Sequence, residues 1–334
     1  MYKFKPILKT LVWGTESWVL SGVPGNESVV AEGPDAGRRI TDIWPGEFPL
    51  LIKFIDAKRD LSIQVHPHDE LAAKRHGCRG KTEMWYVIDA APGAKLISGL
   101  KEPITPDDYV RLVAEDRITD VLAQHSVAPG DVFFLPAGRI HAIGGGCFLA
   151  EIQQTSDITY RIYDYNRPGL DGKPRPLHTQ QARDAIDYMV CPDYRTHYEA
   201  RQNAPVELVK CPYFTTMLLD LTKPLSLMPS AESSGRAARN YFSDKSAEKP
   251  IPAPLPADGS TDSCQQESLI RRAGHDPESP EFVILIGLNG SGKVTTEADE
   301  TTLQAGEAIL VPAAEGAVTF QPGPDGLRLL TTHP

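Results

Sequence analysis

The chain has 334 residues, long enough for two domains, with 41% hydrophobic residues, 23% charged residues and a formal net charge of -10. That acidity argues against a nucleic-acid partner, whose phosphate backbone needs a basic surface. It admits a small anionic substrate only at a local island of Lys and Arg. No apolar run approaches the roughly 18 residues of a membrane helix, and the opening MYKFKPILKTLVWG lacks the apolar region and cleavage site of a signal peptide. The five cysteines (78, 147, 191, 211 and 264) are odd in number and form no CxxC pair. Reduced thiols in a cytoplasmic protein are therefore expected, with neither disulfides nor a zinc ribbon.

In chain order, strands are predicted at LLIKFIDA (50–57) and LSIQV (61–65), then a short helix over 68–77 with Asp69 near its cap and Gly77 at its end. A strand EMWYVIDA (83–90) precedes a helix over 105–124, opened by Thr105, Pro106 and Asp108 in a capping pattern. Strands follow at DVFFLP (131–136), CFLAEIQQ (147–154) and TYRIYDY (159–165), then a helix over 179–189. From Pro229 to about Pro280 the chain is rich in Pro, Ala, Ser and Gly without periodicity, as in a connecting excursion. EFVILIGL and EAILVP then restore the strand pattern. Closely spaced strands with turn signals predict a mainly β protein built as a sandwich or barrel.

An internal repeat divides the chain. Gly130-DVFFL-Pro136 and Gly306-EAILV-Pro312 share the frame Gly-x5-Pro, and a matching strand-to-turn segment precedes each, starting at Glu83 and at Glu281. Two related β-domains follow, over 1–195 and 205–334, with a helical insertion near 101–125 in the first and the irregular segment near 229–280 in the second. Five residues after Pro136 stands His141, and five after Pro312 stands Ala317, so the second copy has lost its polar residue. Within it, Gly287-LNGS-Gly292-Lys293-Val294 nearly matches a phosphate-binding loop, but Val294 has no hydroxyl for Mg²⁺ and strands follow. The repeat places that segment opposite the APGAK turn (91–95), so a turn is expected.

In LSIQVHPHDE (61–70), Gln64, His66 and His68 fall at every second position, as ligands on one strand face would. Pro67 interrupts the strand and a helix starts just after, so His68 is expected to be a solvated turn residue. Downstream, Gly130-DVFFL-Pro136-A-Gly138-RI-His141 fits G-x5-P-x-G-x2-H, the second cupin motif, in which Pro and Gly shape a turn and the His enters the barrel. QVHPHDE, GKTEMWY (80–86), LPAGRIHAIGGG (135–146) and SDITYRIYDYNR (156–167) together resemble, in order, the motifs of the type I phosphomannose isomerases in their short bacterial form. WGTESW (13–18) and FPLLIKFIDA (48–57) are similar to that family too.

The resemblance implies two cupin (jelly-roll) barrels, the first catalytic and the second degenerate. It also implies one Zn²⁺ per chain held by Gln64, His66, Glu83 and His141. Two imidazoles, a carboxylate and an amide oxygen suit zinc, and a single anionic ligand leaves the ion a strong Lewis acid. The implied activity interconverts mannose 6-phosphate and fructose 6-phosphate through a cis-enediol, on a small sugar phosphate and without membrane or nucleic acid, as a monomer or homodimer. Lys81 and Glu83 are two apart and so share a strand face; Asp157 and Arg161, four apart, are expected on one face of another. By resemblance Lys81, Asp157 and Arg161 are the catalytic residues, Arg161 with a planar fork suited to an oxyanion or phosphate. Arg167, Lys173 and Arg175 are expected to be mostly solvated loop residues. Two alternatives use the same scaffold. An iron-dependent cupin dioxygenase is disfavoured by Gln64 and the Lys81/Arg161 pair, and a non-catalytic sugar-binding cupin by retention of the full set.

Overall fold

The computed structural model describes residues 1–44, 46–229, 242–244 and 282–334. The chain forms two compact units. One comprises Met1–Lys5, Val29–Arg38 and His197–Pro334, the other Pro6–Ser28 and Arg39–Thr196. The expected 1–195 and 205–334 division is therefore adjusted at the N-terminus. Strand Tyr2–Lys5 pairs with Ala308–Pro312 and with Val29–Val30, a ladder between segments far apart in sequence that no local pattern reveals.

The unit containing His197–Pro334 holds one ten-stranded antiparallel sheet. Alternate residues of its strands form an apolar cluster that includes Leu219, Leu227, Val283, Leu285, Ile309, Val311, Phe320 and Leu329. The segment expected as a turn at Gly287–Val294 is instead part of a continuous strand, Phe282–Thr295, which pairs on both sides. Its glycines serve bulges rather than a reversal: the register shifts at Gly287/Asn289 and Gly290/Gly292, with Gly290 at φ 70°. Lys293 pairs with Glu300 at 2.8 Å, and the extended backbone cannot cradle a phosphate. Of the stretch expected to be irregular from Pro229, Phe242–Asp244 pairs as a strand with Leu225–Pro229, and the remainder lies outside the described residues.

The other unit is two facing antiparallel sheets. The seven-stranded sheet runs, in spatial order, Arg195–Thr196, Val132–Leu135, Glu83–Ala90, Cys147–Gln154, Leu50–Ala57, Gly14–Leu20 and Ile7–Leu11. The five-stranded sheet runs Tyr160–Tyr163, Ile63–Val65, His141–Ile143, Lys95–Leu100 and Leu122–Ser126. Trp13, Ile55, Trp85, Phe133, Ile143 and Leu149 fill part of the space between the sheets. The opposite face of the five-stranded sheet, through Ile63, Val65, Ala142 and Ile162, packs with the helical residues Tyr109, Leu112 and Ala182.

Of the three expected helices, the first, Asp69–His76, is capped by His68 rather than Asp69 and closes at Gly77 in the left-handed region. The second keeps its Thr105/Asp108 capping box and Pro106 but stops at Ala114. Asp116 takes φ 56°, a 3₁₀ turn Ile118–Val121 follows, and Leu122–Ser126 pairs as a strand, so the expected 20-residue helix is halved. The third spans Thr179–Ala185. Cys78, Cys147 and Cys211 are free thiols.

Candidate metal centre and its cleft

Gln64 lies in the middle of Ile63–Val65. Its neighbours Ile63 and Val65 are buried in the helix-packed layer, so strand alternation turns Gln64 toward the other sheet. His141 starts the adjacent strand directly opposite Gln64, and Glu83 starts a strand of the facing sheet between Leu135 and Gln153. His66 follows its strand without belonging to it, yet its position is tightly fixed. Its carbonyl accepts the Gly138 N–H at 2.8 Å, Pro67 accepts from Lys81 at 3.1 Å, and Thr82 Oγ1 accepts from Ala137 at 3.2 Å. Gly138 sits at φ 94° where an added Cβ would lie 3.1 Å from the Ala185 carbonyl, which accounts for glycine in that turn.

The ligand atoms of His66, Glu83 and His141 all lie within 4.8 Å of one another, and all three residues are buried. Glu83 Oε2 is 3.6 Å from His66 Nε2 and Oε1 is 3.3 Å from His141 Nε2. Each imidazole donates its Nδ1–H to a backbone carbonyl at 2.8 Å, His66 to Ile158 and His141 to Arg139. That fixes the tautomer and leaves the Nε2 lone pairs directed at the shared space. His66 Nε2 and both Glu83 oxygens are buried without a hydrogen-bond partner. Gln64 completes the group with its amide 3.4 Å from His141 Nε2; rotating the amide end exchanges its nitrogen and oxygen. Buried atoms of this kind, two lone pairs and a carboxylate converging with nothing between them, are what a divalent cation satisfies. Residues 64, 66, 83 and 141 thus converge as the sequence led one to expect. His68 lies apart, its Nδ1 accepting the Leu71 N–H in the helix cap.

Burial, with Lys81 and His141 adding to it, holds His66 well below the ordinary imidazole range. Burial likewise pushes His141 down to about 4. Burial and then the charge of Glu151 push Glu83 up to about 8, against the pull of Lys81 and Lys53. Both imidazoles are therefore neutral, the form that coordinates a metal.

A cleft of about 360 Å³ opens beside this centre and is lined by Gln64, Lys81, Asp157 and Arg161. Lys81 is buried, with Nζ 3.5 Å from Glu83 Oε2, and precedes the Glu83 strand rather than lying in it. Arg161 pairs with Gln64 on the adjacent strand. Asp157 does not share a strand face with Arg161, as was expected. The strand begins only at Tyr160, and the preceding loop is committed elsewhere, with Ile158 O accepting from His66 and Ser156 Oγ donating to Arg79 O. Asp157 is exposed, on the wall of the same cleft.

Four further charged groups that the sequence reading left aside, Lys9, Glu16, Lys53 and Glu151, line the cleft. Lys53 and Glu151 face each other on neighbouring strands, both buried, at 2.8 Å. Lys53 also donates to Gln153 Oε1 at 2.6 Å, and Trp85 Nε1 to Glu151 at 2.9 Å. Lys9 lies 3.3 Å over the Trp18 ring, whose Nε1 donates to Glu16. The signal was a charge set inside each apolar run, Lys53 in LLIKFIDA and Glu151 in CFLAEIQQ. Such a charge is buried only with a partner. The cavity of about 610 Å³ in the other unit is lined by Tyr2, Asp35, Asp299 and Glu315 among others and has no histidine.

Two facing antiparallel sheets around a buried His/Glu/His group define a mainly β domain, consistent with a cupin, that carries a candidate metal-binding group. Residues 15–87 match the family described as phosphomannose isomerase type I, catalytic domain. The chain is 33% identical over 271 residues to the mannose-6-phosphate isomerase ManA of Bacillus subtilis strain 168, covering 70% of this chain and 86% of that protein. It is 37% identical over 182 residues to the mannose-6-phosphate isomerase of Streptococcus mutans, covering 51% and 57%. The crystal structure of the Bacillus subtilis mannose 6-phosphate isomerase superposes with a TM-score of 0.79 at 26% identity, over 100% of this chain and 99% of that one. The chain belongs to the type I phosphomannose isomerase family and is an isomerase.

The Lys53–Glu151 pair gives a stability prediction with a definite pH dependence. Burial raises the Glu151 carboxyl, but Lys53 and Lys81 overcome this and hold it down at about 2, below its ordinary 4.5. A depressed carboxyl contributes stability above its unfolded pKa that is lost as pH falls through the folded one. Lys53→Met should destabilise the protein by about 3–5 kcal/mol at neutral pH, because it strands a buried carboxylate. The deficit should narrow below pH 4.5, where the stranded carboxyl can protonate. Denaturant midpoints across pH check this; a deficit independent of pH would contradict it.

Proposed function

We propose that the chain interconverts mannose 6-phosphate and fructose 6-phosphate through a cis-enediol, with one Zn²⁺ held by Gln64, His66, Glu83 and His141. The observation that carries this is the set of buried, unpartnered donors His66 Nε2 and Glu83 Oε1/Oε2, next to Gln64 and Lys81, which line a cationic cleft. The donor set suits zinc, with nitrogen and oxygen ligands and a single negative charge. When bound, the ion supplies Lewis acidity toward the sugar's C1 and C2 oxygens.

The chain's own residues supply the rest. Lys81, fixed by its backbone bond to Pro67 and 3.5 Å from Glu83, offers an ammonium donor at the edge of the centre. Asp157, exposed on the cleft wall, is free to take and return a proton. Arg161 is half-buried, and its Nε has no partner, so its charge is available to an oxyanion that develops as the enediol forms. Ion-paired Lys53 and Glu151 keep the inner wall polar and rigid. The same reading takes the enzyme as cytoplasmic and as a monomer or homodimer acting on a small sugar phosphate.

A coupled assay comparing mannose 6-phosphate with free mannose and other sugar phosphates tests the reaction. Selective turnover of mannose 6-phosphate is expected, and turnover of none of them would overturn it. Arg161→Ala tests the division of labour. It should lower kcat by about 10²–10³-fold, the size expected for one electrostatic stabiliser, with a much smaller change in KM and unaltered metal content. A rise in KM alone would make Arg161 a uniform-binding residue.

A further inference from the structure

The loop between strand Tyr160–Tyr163 and helix Thr179–Ala185 brings two guanidinium groups, of Arg167 and Arg175, around a single carboxylate. Asp164 is buried. Its Oδ1 accepts from Arg167 Nε at 2.9 Å and from Arg175 Nη2 at 2.6 Å, and its Oδ2 accepts from Arg175 Nε at 2.7 Å. The Arg175 contact is a two-pronged fork that fixes the plane of its guanidinium. Arg175 Nη1 is left without a hydrogen bond among the described residues, and Arg175 lines the same cleft as Gln64 and Lys81. Tying the loop down, Arg161 Nη1 donates to Pro176 O at 3.1 Å, the Arg161 N–H donates to His178 Nδ1 at 2.9 Å, and the His178 N–H donates to Arg161 O at 2.7 Å. Arg161 and Arg175 are thereby two neighbouring cations on one wall. Only Arg175 of the two has an anionic partner, and that carboxylate is shared with Arg167. Burial and then the charge of Arg175 lower Arg161, the sign expected of cations held together without enough counter-charge.

We infer that Arg175, oriented by Asp164, is the anion-binding residue that recognises the phosphate of the sugar and determines specificity for it, while Arg161 beside it serves the reacting end. The inference rests on the isomerase reading for the identity of the substrate and goes beyond it in assigning the phosphate-binding side chain. A dianion fits because the wall carries more positive than negative charge and because a free guanidinium edge matches phosphate oxygens. The division from Arg161 follows from geometry. Arg161 lies opposite Gln64 in the ladder, next to the metal group, whereas Arg175 reaches the cleft from the loop. Asp164 is a positioning residue that keeps the Arg175 fork from collapsing into solvent.

The test uses the holoenzyme and two probes, inorganic phosphate by titration calorimetry and mannose 6-phosphate by steady-state kinetics. Arg175→Ala should weaken phosphate binding and raise KM by about 10- to 100-fold, the loss expected for one charge-assisted hydrogen-bonding partner. The kcat should stay within a few-fold and metal content unchanged, with some fall in melting temperature because buried Asp164 loses one of its two guanidinium partners. Arg175→Lys should recover part of the loss, charge without the fork, which a merely structural role would not produce. Unchanged phosphate affinity and KM in Arg175→Ala, or a fall in kcat at unchanged KM, would overturn the assignment. Phosphate binding is read whether or not the protein turns over mannose 6-phosphate. An inactive wild type that still binds phosphate through Arg175 would thus sink the isomerase reading and leave the subsite standing.

Discussion

Ionising Glu83 places a negative charge at a position with no solvent exposure, and burial opposes it, pushing the carboxyl up to about 8. The nearest cation, Lys81 Nζ, is 3.5 Å away, beyond good hydrogen-bonding distance, and both carboxylate oxygens lack a donor. An isolated carboxylate in that setting is among the most expensive groups a fold can bury. The surrounding architecture converges on this point. Two imidazoles are locked by backbone carbonyls with their lone pairs toward Glu83, and the turn at Gly138 is bonded to the His66 backbone. A cation bound here would convert a destabilising arrangement into a stabilising one, so metal binding and folding of this unit are linked.

The same constraint organises the cleft. One sheet supplies Gln64, His141 and Arg161, and the facing sheet supplies Glu83, Lys53 and Glu151, so the centre exists only where the two sheets face each other. The charges are graded by depth. Deep in the cleft Lys53 and Glu151 satisfy each other, while nearer the loop the Asp164 cluster leaves cationic surplus. An acidic protein thus concentrates positive charge at one place, where an anionic sugar would meet it.

Much of this could be read in the sequence, for identifiable reasons. The strands at 50–57, 83–90 and 147–154 match their apolar runs residue for residue, because continuous burial on both faces writes itself into composition. The convergence of His66, Glu83 and His141 was legible because the Pro136/Gly138 turn has a fixed chemistry and fixes the spacing to His141. What failed was governed by long-range pairing. The helix from 105 was cut at Ala114 because Leu122–Ser126 finds a strand partner in Lys95–Leu100. The glycine-rich 287–292 segment reads as a turn locally but is held extended by neighbours on both sides. Asp157 left its expected strand because the loop's backbone serves His66. Arg175 was set aside as a solvated loop residue because nothing in KPRPLH shows that Asp164, 11 residues away, will hold it.

Metal content measured on purified wild-type protein and on two histidine variants tests the central claim most directly. About one zinc per chain is predicted in the wild type, with His141→Ala losing tight binding and His68→Ala retaining it, since His68 caps a helix and points at Leu71. Loss of the metal in His68→Ala with retention in His141→Ala would contradict the account.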